Sequence, residues 1–154
     1  MSPSTVPGRI ERSIFIRAPR ARVWRALTDP AEFSAWFRVE AEGPFAPGAR
    51  IRMKSTHPGY EHVVFYVTIE NVVPERAFSW RWHPGSQQPP EDAAEPTTLV
   101  EFRLEDEEGG ARVTVVESGF DAIALARRAT VYKENQGGWE HQLGALGRHA
   151  GAQA

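Results

Sequence analysis

From Ala49 to Ser118 the chain offers strand after strand with no helical stretch between them, and from Ala122 to about His149 it offers one long helical segment. This segregation constrains the fold more than any other feature. Strands joined by turns in an unbroken run pair antiparallel, and helices kept apart from them make the class α+β. A helix of that length must bury an apolar stripe, and the sheet is the surface that can take it.

Side-chain parity defines the strands. Ile10, Ile14 and Ile16 share one face of a first strand ending at Arg17, with Glu11 and Ser13 on the other and Phe15 out of pattern. Pro19 then opens a short helix carrying Val23, Trp24 and Leu27, and Asp29-Pro30 restarts the chain as a second one carrying Phe33, Trp36 and Phe37. Ile51 and Met53 alternate with Arg50, Arg52 and Lys54 in a strand from Ala49 to Thr56, and Val63 to Val73 is a β-branched and aromatic run long enough for the longest strand of a sheet. Phe78, Trp80 and Trp82 alternate with Ser79, Arg81 and His83, which puts three aromatic rings on one face of a single strand. Thr97 to Leu104 and Arg112 to Ser118 form a hairpin around a turn at Asp106 to Gly110. Residues 1–9 read as a disordered tail and 10–150 as one domain. The segment Pro84 to Pro96 (PGSQQPPEDAAEP) is too polar and proline-rich to pack, so it is expected as a mobile connection that gates or merely borders the mouth of any cavity.

Composition removes whole classes of function. Eighteen Lys plus Arg face 20 Asp plus Glu, a net charge of −2, so there is no basic field to hold a nucleic-acid backbone. Cysteine is absent, and with it disulfides, thiolate nucleophiles and the commonest zinc sites. No leader pattern and no apolar run of membrane-spanning length occurs, which reads as a cytoplasmic protein without membrane insertion. His57 and His62 flank a Pro-Gly turn and lack further ligands, and no hydrolase elbow, Walker or dinucleotide fingerprint is present. No cofactor is implied.

The polar residues of the expected sheet–helix interface carry what chemistry there is. With Asp121 as N-cap and about 100° per residue, Trp139, Leu143, Leu146 and Leu125 fall on one stripe of the last helix, and Arg128, Tyr132 and Asn135 fall on it too. Polar groups on such a stripe form a structural network or the polar contacts of a ligand. Glu117 shares the parity of Val113 and Val115, so its carboxylate points toward the helix and needs a partner, for which Arg128 is available. A Glu117–Arg128–Tyr132 group could fix the helix on the sheet, bind a polar substrate group or act in acid/base chemistry.

Taken in order, Val23 to Pro30 (VWRALTDP), Trp36-Phe37, Phe78 to Pro84 (FSWRWHP), Glu95 to Phe102 (EPTTLVEF), Val116 to Phe120 (VESGF) and Gly137 to Trp139 (GGW) form an ordered set. From Ile10 to His149 the chain resembles the bacterial relatives of the heat-shock-protein-90 ATPase activator domain, within the START-like (SRPBCC) superfamily. That resemblance implies a helix-grip fold: a curved antiparallel sheet of six to seven strands around the long C-terminal helix, with two short helices after the first strand. It implies no particular reaction. The function expected is the binding of a small hydrophobic or amphipathic molecule between sheet and helix. Its candidate lining is Trp24, Phe65, Trp80, Trp82, Phe102, Glu117, Arg128, Tyr132 and Trp139. The alternatives are a cyclase- or hydrolase-type enzyme using Glu117, Tyr132 or His83, and a chaperone-linked stress protein acting through its surface.

Overall fold

The computed structural model describes residues 8–83, 96–123 and 125–151. The chain runs β1 (Arg9–Ile16), α1 (Arg20–Thr28), α2 (Pro30–Phe37), β2 (Val39–Ala41), β3 (Arg50–Ser55), β4 (Val64–Val73), β5 (Ala77–Trp82), β6 (Thr98–Glu107), β7 (Gly110–Ser118), a single 3₁₀ turn at Phe120–Ala122, and α3 (Leu125–Gly151). All seven strands join one antiparallel sheet in the order β1-β7-β6-β5-β4-β3-β2. α3 lies across its concave face, so the helix-grip architecture and the α+β class are those the sequence implies. Among the described residues no helix is long and apolar enough to cross a membrane.

Parity places the core. Phe78, Trp80 and Phe102 have no exposed surface, nor do Val113 and Val115, and all lie on the side of the sheet that α3 covers. Val131, Trp139, Leu143, Leu146 and Ala150 meet them from the helix and are likewise buried. The phase survives Gly137 and Gly138, through which α3 continues without a break. A shift of pairing between Ile69 and Asn71 gives β4 an extra residue opposite β5, the kind of irregularity that bends a sheet around a helix.

Four details depart from the expected elements. β2, three residues long, follows α2 directly, too short for an alternating pattern to reveal it. β6 and β7 pair as far as Glu107 and Gly110, leaving only Glu108 and Gly109 in the turn, with Gly109 at φ 86°. The Arg112–Glu107 ion pair (2.6 Å) extends this hairpin beyond the core. Asp121 does not cap the last helix. Gly119, at φ 102°, turns the chain so that Phe120 enters the core against Tyr132, and α3 starts only at Leu125. The loop expected to be mobile, Pro84 to Pro96, lies outside the described residues apart from Pro96, as do residues 1–7 of the expected tail. Arg9 of that tail pairs with Ser118.

Helices α1, α2 and the end of α3 are tied together by charge. Glu32 of α2 accepts from Arg22 (2.5 Å) and Arg25 (2.9 Å) of α1 and lies 3.1 Å from His149 of α3. Burial pushes the Glu32 carboxyl up, but the hydrogen bonds from Arg22, His149 and Arg25 outweigh it and hold it below its ordinary value of 4.5. A carboxyl that titrates lower in the folded than in the unfolded chain adds stability above the unfolded value, and that stability is lost as the pH falls through the folded one. Glu32→Gln is therefore expected to lower stability by about 1–2 kcal/mol near neutral pH and by almost nothing near about pH 2. Urea melts of both proteins across that range check this, and a pH-independent difference contradicts it.

Candidate functional site

Glu117 stands on β7 between its cross-strand partners Ile10 and Val100, with its side chain turned toward α3 and no exposed surface. Four side chains from three directions donate to it. Trp82 Nε1–H of β5 reaches Oε2 at 2.8 Å, and the Thr98 hydroxyl of β6 donates to the same oxygen. From α3, Trp139 Nε1–H donates to Oε1 at 2.8 Å, and Asn135 Nδ2–H₂ lies 2.9 Å from Oε1 and 3.1 Å from Oε2. All four donors are neutral. The carboxylate is stabilised by a shell of fixed N–H and O–H dipoles in place of a counter-cation, and its lone-pair directions are filled.

The elements explain why these four meet. Trp82 and Thr98 are direct cross-strand partners, and Thr98 is diagonal to Glu117 across β6 and β7. Asn135 and Trp139 are one helical turn apart on the face of α3 above them. Glu117 thus locks helix to sheet at mid-length.

This replaces the expected partnership with Arg128. The Arg128 guanidinium folds back onto the carbonyls of Ile123 (3.1 Å from Nε) and Asp121 (2.9 Å), serving the turn before α3. Tyr132 donates its hydroxyl to the carbonyl of Arg9 (3.0 Å) and packs its ring on Phe120. Neither touches Glu117, so the three-residue polar group does not form. The two residues share the azimuth of Asn135 but sit nearer the start of the helix. Seven residues of helix between Arg128 and Asn135 amount to about 10 Å of rise.

Open space remains at one end of the sheet–helix interface. A depression of about 240 Å³ lies beside Trp82, Asn135, Gly138 and Trp139, and a second of about 390 Å³ lies beside Arg38, Ser55, His57, Tyr60 and His141. They share Phe37, Phe65 and Gln142 and meet over those side chains. Of the candidate lining, Phe65, Trp82 and Trp139 border this groove. Trp80 and Phe102 are entirely covered beneath it, with Trp80 5.5 Å from Trp82 and Phe102 5.7 Å from Trp139 between ring centres. Trp24 is elsewhere, edge-on to Phe78 at 6.4 Å. Among the described residues the interface is solid where Phe33, Phe78, Trp80 and Phe102 fill it and open toward the β2–β3–β4 side.

Chemically, a carboxylate with filled lone pairs and no exposed atom has no position from which to take a substrate's proton. What the arrangement does is hold groove-wall groups. The N–H groups of Trp82, Trp139 and Asn135 are drawn inward onto Glu117, leaving the hydrocarbon surfaces of the indoles to border the groove. The Asn135 amide nitrogen faces both Glu117 oxygens, and the Asn135 carbonyl oxygen is turned away.

The family described as Activator of Hsp90 ATPase homolog 1-like protein matches residues 17–151. The chain belongs to that family. Solved structures share the fold of this activator-homologue chain at low identity. One is DynU16, a protein in the dynemicin biosynthetic locus, with a TM-score of 0.73, 22% identity and 94% of the present chain covered. The chain spans about half of DynU16, 47% of its length. Another is the Aha1 dimer from Colwellia psychrerythraea, with a TM-score of 0.70, 18% identity and coverage of 93% of this chain and 96% of that one. CalU16 from Micromonospora echinospora gives 0.67 and 23%, covering 97% and 82%. No curated protein matches at a significant level.

Several groups at this site escaped the sequence reading. Thr98 shares the parity of Val100 and Phe102, and that parity was the signal for an inward hydroxyl next to Glu117. For Arg38 and Tyr60, in a helix end and a turn, no periodicity exists to give a direction.

Proposed function

We propose that this activator-homologue protein binds a small amphipathic molecule in the groove between α3 and the β2–β3–β4 side of the sheet, and that it holds the molecule without transforming it. The observation that carries this reading is the withdrawal of the wall's polar atoms onto Glu117, which leaves an aromatic, partly apolar groove of ligand size beside the packed rings of Trp80 and Phe102. Glu117 is spent on structure, and Tyr132 is spent on the Arg9 carbonyl, so two of the groups an enzyme reading would use are committed elsewhere. The description of DynU16 by its biosynthetic locus is in keeping with a small-molecule role. A cytoplasmic setting fits the same reading. The family description favours a chaperone as partner, and such an interaction would use the outer surface and leave the groove unaffected.

Gly138 gives the test. It borders the groove, and a Cβ there meets nothing within 4 Å. Gly138→Leu places a side chain in the open space and suits a helix, so the affinity for the neutral dye N-phenyl-1-naphthylamine is expected to fall about tenfold or more. The neighbouring Gly137→Ala, equally free of clashes, is expected to leave dye binding unchanged and add about 1 kcal/mol of stability. Equal affinity of wild type and Gly138→Leu, by fluorescence titration, overturns the groove as the binding site.

A further inference from the structure

The two halves of the groove differ in polarity. Arg38 ends α2 in the left-handed conformation (φ 59°), exposed, and its guanidinium forms no ion pair or hydrogen bond with any described residue. Many other arginines of the chain are matched: Arg22 and Arg25 to Glu32, Arg81 to Glu70, Arg112 to Glu107, and Arg50 over the Tyr66 ring. On the Arg38 side the described residues that border the groove include Ser55, His57, Tyr60 and His141, all able to donate a hydrogen bond, and no carboxylate is among them. Glu61, the carboxylate of the adjoining turn, is turned onto the backbone N–H of Gly59 at 2.9 Å. On the Trp82 side the groove is bordered instead by the Glu134 carboxylate and by Asn135, whose donor is used on Glu117. Between the two ends lie the rings of Phe37 and Phe65. Tyr60, 54% exposed, stands at the rim as a large ring with little to cover it.

Resting on the binding reading above, we infer that the molecule held there is an anion: a flat, largely apolar body carrying a carboxylate or similar oxyanion. It lies with its charge at Arg38 and its body over Phe37 and Phe65 toward Trp82. A guanidinium whose N–H groups are engaged by no described residue offers a planar fork matched to an oxyanion. Glu134 repels the same charge from the opposite end, so the polarity fixes the direction as well as the affinity. Tyr60 is placed to lie against the body from outside.

A pair of dyes with one shared body tests this. 8-Anilinonaphthalene-1-sulfonate is N-phenyl-1-naphthylamine with a sulfonate added. At low salt the wild type is expected to bind the sulfonate on the order of five- to tenfold tighter than the neutral dye, the size of one charge-assisted contact at a partly wet site. Arg38→Asn suits the left-handed backbone and is expected to bring that ratio close to one while leaving the neutral dye's affinity as it was. About 0.5 M NaCl is expected to shrink the wild-type ratio in the same way. A wild-type ratio near one, or a ratio that Arg38→Asn leaves intact, overturns the anion inference while leaving groove binding standing. Failure of both dyes to bind overturns the inference together with the binding reading.

Discussion

Trp139→Ala is expected to lower the free energy of unfolding by about 4 kcal/mol, measured as a shift of the urea midpoint at unchanged slope. Two effects combine. The indole is 3% exposed and packs against Phe37, Trp80, Trp82 and Phe102 at 5.7–6.5 Å between ring centres, so its removal leaves a large void among rings that cannot close over it. Its N–H also supplies one of the four side chains that stabilise the buried Glu117 carboxylate. Trp139→Phe separates the two effects, because it retains most of the packing and loses the donor; about 1–3 kcal/mol is expected from that alone. A loss below about 1 kcal/mol for the alanine variant would place the ring outside the core.

Gly110→Ala is expected to destabilise by about 3 kcal/mol although it adds a single methyl group. A Cβ at this position would stand 2.1 Å from the carbonyl oxygen of Ile16, 3.0 Å from its carbon and 3.1 Å from Cα of Arg17. All three are backbone atoms at the end of β1, where β7 starts beside it, and a strand cannot swing aside as a side chain can. The neighbouring Gly109 is the comparison. It has φ 86° but its Cβ would meet only the ring of Phe15 at 3.8 Å, so alanine there is expected to lose about 1 kcal/mol through backbone conformation alone. Thermal melts of the two variants give the order, and Gly109→Ala as the worse of the two would refute it.

The fold was legible because its elements obey simple periods. Phe78, Trp80 and Trp82 could only share a face, and Trp139, Leu143 and Leu146 could only share a stripe, so sheet and helix were bound to meet there. The direction of Glu117 followed from the same parity. Its partners did not, because a helical wheel gives azimuth and says nothing of height. Arg128 has the right angle and the wrong level, while Asn135, at a similar angle, is level with the carboxylate. The groove was legible only as an expectation of space between two layers. Which part stays open depends on how far Phe33 and Phe37 of α2 reach under the helix, stacked at 4.7 Å, and long-range packing of that kind leaves no local pattern.

The shell around Glu117 also bears on how such a protein can change over evolutionary time. Because the groove-wall residues Trp82, Asn135 and Trp139 turn their donors inward onto the carboxylate, the polar frame that sets helix against sheet faces away from the groove. Arg38, His57 and Tyr60 border the groove from a helix end and a surface turn and take no part in that frame. Substitutions at those rim positions can therefore accumulate without loosening the fold, and on the binding reading proposed above they would alter the choice of bound molecule. A division of this kind suits an architecture whose fold recurs at around 20% sequence identity.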